Sequence, residues 1–138
     1  MTRQLPFEFL EHMADIKFVA YGATPAEVFE NAVRAVSVYV AEEKRVTQRL
    51  MTHIDVKGSD YESLLYAFLD ELLYLLDAEQ FIVARAEVNV EGMEVHAMLY
   101  GDHTSRYPAL KHVKAATYAE MYVKETLKGW EAQVVLDV

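Results

Sequence analysis

No cysteine occurs among the 138 residues. That excludes disulfides, thiolate metal sites and thiol catalysis, and it fits a reducing cytoplasm. Glycine and proline are sparse, five and three. The glycines are scattered to turn positions, and there is no G-x-S-x-G, no phosphate loop and no G-x-G-x-x-G. Cationic residues are few: 13 Lys and Arg against 22 Asp and Glu leave a formal net charge of −9. Phosphate recognition needs a basic patch, and none is visible, so direct nucleic-acid binding is not expected. No apolar run is long enough to span a bilayer, and Met1 to Glu8 carry no signal-peptide apolar core, so a cytoplasmic location without a membrane partner is expected. No repeat, linker or low-complexity stretch divides the chain. One domain over 1–138 is the simplest reading.

What is present is a large apolar fraction, 53%, arranged with clear periods. The segment Ser59 to Asp77 reads as one long helix. Ser59 and Glu62 form an S-x-x-E capping box. Leu65, Phe68, Leu69, Leu72, Leu73 and Leu76 recur at three- and four-residue steps. That stripe is too broad for a lone surface helix and needs strands to lie on. Between Asp60 and Glu79 there is no Lys or Arg. Such an acidic run is either a solvated helix face or a surface for a basic protein or for cations.

Around this helix the chain is organised as follows. Glu8–Met13 and Ile16–Tyr21 are two short edge segments with a turn at His12–Asp15 between them. Thr24-Pro25 starts a helix with Glu27 closing its capping box, Phe29, Ala32, Val33, Val36 and Val40 as its apolar stripe, and an end near 41–43. Val46–Val56 alternates as a strand, with Val46, Leu50, Ile54 and Val56 on one side and Thr47, Arg49, His53 and Asp55 on the other. Phe81–Val90, the turn Glu91-Gly92, and Met93–Tyr100 have the pattern of a hairpin. Gly101–His112 reads as a long polar loop, and long loops are often functional. Val113–Val123 and Trp130–Val138 are the closing strands, with Trp130, Ala132, Val134, Leu136 and Val138 facing the core. The whole predicts an α+β fold, a mostly antiparallel sheet with two helices packed on one side.

Candidate chemistry is thin. The imidazoles are His12, His53, His96, His103 and His112. No H-x-x-x-H pair exists, His53 and His96 fall on polar strand faces and read as surface residues, and His103 and His112 flank the loop. Asp15 stands directly before a strand, either as an Asx-turn residue or as a hard-cation ligand. Asp137 lies beside the α-carboxylate of Val138. If the strands at Ile16 and at the C-terminus pair, these carboxylates meet at one rim. Repulsion there is relieved by Ca²⁺ or Mg²⁺, for which oxygen-only ligation is suited.

Several stretches are similar to the archease family, nearly end to end. Glu11-His12-Met13-Ala14-Asp15-Ile16 resembles its H-T-A-D-I/V segment, and Tyr21-Gly22 and the Thr24 to Val33 helix start follow. Leu69-Asp-Glu-Leu-Leu-Tyr-Leu-Leu76 resembles its L-N-E-L-L-Y-L run. Val113 to Tyr118 and Trp130 to Val138 complete the likeness. Met13 replaces the usual Thr, Asp70 the common Asn, and Ala119 a His found in many relatives. The resemblance implies a small cytoplasmic accessory protein that activates an RtcB-class GTP-dependent RNA ligase. Such proteins promote its guanylylation and repeated turnover in tRNA splicing and RNA repair. It also implies a divalent cation, expected to be Ca²⁺, held by Asp15, Asp137 and Val138. No catalytic residue is expected. Two rival readings remain: a chaperone of other nucleic-acid-modifying enzymes such as methyltransferases, and a metal-dependent phosphoryl-transfer enzyme using Asp15 and Asp137.

Overall fold

The computed structural model describes residues 5–11, 14–42 and 44–138. His12, and with Met13 the centre of the expected turn, lie outside them. In chain order the elements are β1 (Phe7–Leu10), β2 (Ile16–Gly22), α1 (Pro25–Ala41), β3 (Leu50–Lys57) and α2 (Tyr61–Ala78). They are followed by β4 (Phe81–Glu91), β5 (Glu94–His103), a 3₁₀ turn (Thr104–Arg106), β6 (Ala115–Thr126) and β7 (Gly129–Asp137). The α+β class with antiparallel strands and two helices is found. The strands divide, however, into two sheets, β1-β2-β7-β6 and β3-β5-β4. β2 is not an edge segment, because it pairs with β1 on one side and β7 on the other.

Both helices touch both sheets, α1 through β2 and β4 and α2 through β6, β4 and β3. Phe29 of α1 meets Phe68 of α2 with ring centroids 5.6 Å apart, both rings fully buried. The predicted stripe of α1 is buried throughout. That of α2 is buried from Leu65 to Leu73, joined by Leu64, while Leu76 is only half-buried. In β7, Ala132, Val134 and Leu136 are fully buried, as their alternation requires.

Local chemistry fixes the element ends. The Glu27 amide donates to the Thr24 hydroxyl at 3.2 Å, and the Glu27 carboxylate accepts from the Ala23 amide at 2.8 Å. At α2 the expected Ser59–Glu62 box is displaced by one residue. Asp60 is the N-cap, accepting from the Ser63 amide at 2.8 Å, and the Ser63 hydroxyl accepts from the Asp60 amide at 3.2 Å. An ionised carboxylate is the stronger acceptor, and Glu62 is committed elsewhere. Its carboxylate takes the Val123 amide of β6 at 3.0 Å.

Three strand boundaries differ from the sequence pattern. β3 begins only at Leu50, because Thr47 is drawn away to Asp102 and Tyr107. β5 runs on to His103, paired with Phe81 of β4, so the expected loop is shortened to the stretch between β5 and β6. β6 begins at Ala115 rather than Val113 and continues to Thr126, with a bulge between Thr117 and Tyr122. The β4–β5 turn has positive φ at both Gly92 (57°) and Met93 (62°). This is the two-residue type I′ geometry that matches strand twist.

Candidate metal centre

β2 and β7 pair antiparallel with Ile16 opposite Leu136. Asp15 and Asp137 each lie one residue beyond that pair, at the same end of the two strands. Phe18 and Ala20 on β2 and Val134 and Leu136 on β7 are fully buried on one face of this pair, and Val19 and Val135 are buried on the other. Asp15 is half-buried, Asp137 exposed and Val138 half-buried. The chain end is tied down on its other side, where the Lys114 amide donates to the Asp137 carbonyl at 2.8 Å. That bond occupies one lone pair of the carbonyl and leaves the Asp137 side chain and the main-chain oxygen of Val138 at the rim.

The rim thus offers oxygen atoms: the carboxylates of Asp15 and Asp137 and the main-chain oxygen of Val138. Its chemistry fits a hard divalent cation, which takes six to eight oxygens when it is Ca²⁺ and keeps waters when it is Mg²⁺. Lys17, next along β2, is engaged with Glu120 at 3.0 Å. Ala119 is exposed in the bulge of β6. Beside it Tyr118 stacks on Tyr66 of α2, with centroids 4.3 Å apart and planes 9° from parallel.

The remaining histidines fall into different settings. His103 Nδ1 accepts from the Ser105 amide at 3.1 Å and meets the Ser105 hydroxyl at 2.8 Å, so it caps the 3₁₀ turn. His112 is exposed in the loop before β6. His53 and His96 are surface residues, as the polar strand faces imply, but they are not isolated. Register sets Asp55 opposite His96, and His53 is two residues back on β3, so all three share one sheet face. His96 Nδ1 lies 2.5 Å and His53 Nε2 3.3 Å from Asp55 Oδ1. The hydrogen bond to Asp55 holds the His96 imidazolium above its ordinary range, although partial desolvation works against it. Sequence reasoning missed this grouping. The only sequence signal is an H-x-D on an alternating strand, and the third member lies 41 residues further on.

Asp102 is a second site residue that the sequence did not reveal. It is 1% exposed at the end of β5. Burial pushes its carboxyl up, but the Thr47 hydroxyl, the His103 amide, the Tyr107 hydroxyl and the charge of Arg106 outweigh that and hold it below the usual carboxylate range. These bonds join the segment before β3, the end of β5 and the loop before β6, which is a structural task. A broad groove beside α1 is lined by Glu30, Asn31, Arg34, Gln48 and Arg85, and neither rim aspartate lines it.

Comparison with known proteins identifies the family. The archease protein family matches residues 7–138. The archease of Methanosarcina mazei is 36% identical over 139 residues, covering 96% of this chain and 95% of its own. That of Aeropyrum pernix is 37% identical, with 93% and 94% covered. An archease-like protein of Drosophila melanogaster is 32% identical, with 98% and 92% covered. The solution structure of Methanobacterium thermoautotrophicum protein 1598 superposes with a TM-score of 0.77 at 28% identity, covering 96% of this chain and 99% of that one. With the whole folded length accounted for in this way, the chain belongs to the archease family.

Proposed function

We propose that this protein is a non-enzymatic accessory factor that activates an RtcB-class GTP-dependent RNA ligase, promoting its guanylylation and repeated turnover in tRNA splicing and RNA repair. Asp15, Asp137 and the chain end at Val138 would hold one divalent cation, Ca²⁺ being the first choice. Family membership supports the reading, and the observation that carries it is the Ile16–Leu136 pairing, which leaves the two aspartates at one strand end. Bound there, the cation supplies a positive centre with positions open to oxygen ligands of a partner. The chain's own residues do the rest. Leu136 and Phe18 anchor the two strands, and the Lys114 amide fixes the last turn of backbone.

The charge supports docking on a basic RNA enzyme, since complementary fields speed encounter and a net −9 body does not compete for RNA. The phosphoryl-transfer alternative asks for a cationic clamp and a general base at the rim. Lys17, the cation two residues from Asp15, is already paired with Glu120. The reading is tested with the ligase and GTP, following guanylylation with catalytic amounts of this protein. Wild type should stimulate it, and Asp15→Ala and Asp137→Ala should each abolish stimulation while keeping the wild-type melt. Capture of a methyltransferase rather than a ligase from the native host would favour the chaperone reading. Metal-dependent NTP hydrolysis by the protein alone, lost in Asp15→Ala, would favour the enzyme.

A further inference from the structure

We propose that His53, Asp55 and His96 form a second cation site, on the open face of the three-stranded sheet, that takes a borderline transition metal such as Zn²⁺ or Ni²⁺. It is independent of the rim and of the ligase. Its ligand atoms, two imidazole nitrogens and one carboxylate oxygen, all lie within 4.8 Å of one another. They are presented by backbone with no freedom to slip. The β3–β5 ladder is continuous from Leu50–Gly101 to Lys57–Glu94, without a bulge, and Ile54, Val95, Ala97 and Leu99 bury its other face.

The distances suit a small ion. In a tetrahedral site with bonds of about 2.0–2.1 Å, neighbouring donors sit roughly 3.3–3.4 Å apart. His53 Nε2 already stands 3.3 Å from Asp55 Oδ1. His96 Nδ1 is nearer, at 2.5 Å. An ion there needs that spacing to open, and the exposed Asp55 carboxylate has room to draw back.

The surroundings also have the form of a metal site. With Nδ1 of His96 directed at the ion, its Nε2 faces Glu94 Oε1 at 3.7 Å. A carboxylate behind a ligating imidazole orients the ring and makes it a better ligand. Nitrogen-rich donors do not suit Ca²⁺ or Mg²⁺, which want oxygen, and without thiolate the site favours Zn²⁺, Ni²⁺ or Cu²⁺. Three protein ligands leave a fourth position, open to solvent or to a partner's side chain.

The test is a calorimetric titration of the full, metal-free chain with Zn²⁺ at neutral pH. Wild type should bind one Zn²⁺ saturably and melt at a higher temperature when it is present. His53→Ala and His96→Ala should each weaken binding by roughly tenfold or more, Glu94→Gln should weaken it less, and His112→Ala should leave it unchanged. All of these side chains are exposed, so the metal-free variants should melt close to wild type. The near-isosteric Asp55→Asn gives the same reading should an alanine variant fold poorly. Absence of saturable Zn²⁺ binding, or binding that survives His53→Ala, His96→Ala and Asp55→Asn alike, overturns the proposal.

Discussion

The two sheets secure their edges by the same device and differ in how they are assembled. In each, a helix glutamate reaches an edge-strand amide. Glu30 of α1 accepts from Val88 on β4 at 2.8 Å, and Glu62 of α2 accepts from Val123 on β6 at 3.0 Å. An edge strand leaves amides unpaired by its neighbour, and a carboxylate from the covering helix satisfies one of them. The four-stranded sheet, however, is closed by strands far apart in sequence, β2 against β7. The three-stranded sheet is built round a local hairpin, β4 and β5, with β3 added. The first sets Asp15 and Asp137 at one strand end, an arrangement that forms only once β2 and β7 pair. The second sets imidazoles and a carboxylate on one face through cross-strand register. Side-chain chemistry thus follows assembly: carboxylates alone at the closing seam, and imidazoles with a carboxylate on the hairpin sheet.

The comparison is broken most severely through the core that both sheets share. Phe68 is fully buried against Phe29, between helices that touch both sheets. Phe68→Ala should cost about 3–5 kcal/mol. Trp130, on β7, is the sole tryptophan and reports on the four-stranded sheet. In denaturant, its fluorescence and the far-ultraviolet dichroism should move together in wild type and variant. Loss of the Trp130 signal while dichroism persists would mean that the sheets unfold separately.

The next largest effect sharpens it. Removing one carboxylate clip strands a partly buried amide, and a hydrogen bond to a charged group contributes about 1.5–3 kcal/mol. Glu30→Ala and Glu62→Ala should each lose that much in urea unfolding. The sites occupy different helices and different sheets, so the double variant should be additive within about 0.5 kcal/mol. A much larger loss for one of them would show that its edge strand depends on the clip and the other does not.

These clips mark the limit of what the sequence could convey. Helix periodicity was legible because it is local: the Phe29-to-Val40 and Leu65-to-Leu73 stripes are buried as their spacing predicts. Turn chemistry located the β4–β5 hairpin. The split into two sheets was not legible, because alternation assigns each strand a face but no neighbour. For the same reason Asp15 and Asp137 could be tied only by supposing that β2 and β7 pair, while His53 and His96 went ungrouped. Asp102 was missed because its partners, Thr47, Tyr107 and the His103 amide, converge only in the folded loops. The strand expected from Val46 failed at this point, since Thr47 serves Asp102 rather than a ladder.

A smaller effect concerns the cap of α2, the helix tied to the four-stranded sheet. Asp60→Ala should cost about 1 kcal/mol and Ser59→Ala little, because Asp60 supplies the acceptor for the Ser63 amide. The two variants can be compared by thermal melts at neutral pH. A Ser59→Ala loss equal to that of Asp60→Ala would return the cap to the Ser59–Glu62 box that the sequence suggested.

The last effect is read across the acid range and belongs to the three-stranded sheet. Asp102 is held as an anion in the fold, so its folded carboxyl titrates below its unfolded one. Above the unfolded value, about 3.9, both states are ionised and the full stabilisation is present. As pH falls through that value the unfolded chain takes up the proton first, and stability declines. The decline continues until pH passes the folded value, where the contribution is gone. Asp102→Asn cannot titrate, so it should be less stable than wild type at neutral pH, with the gap narrowing as pH is lowered from 5 to below 4. Thermal melts across that range check this. A gap for Asp102→Asn that stays constant with pH would mean that Thr47, Tyr107 and Arg106 position the side chain without favouring its charge.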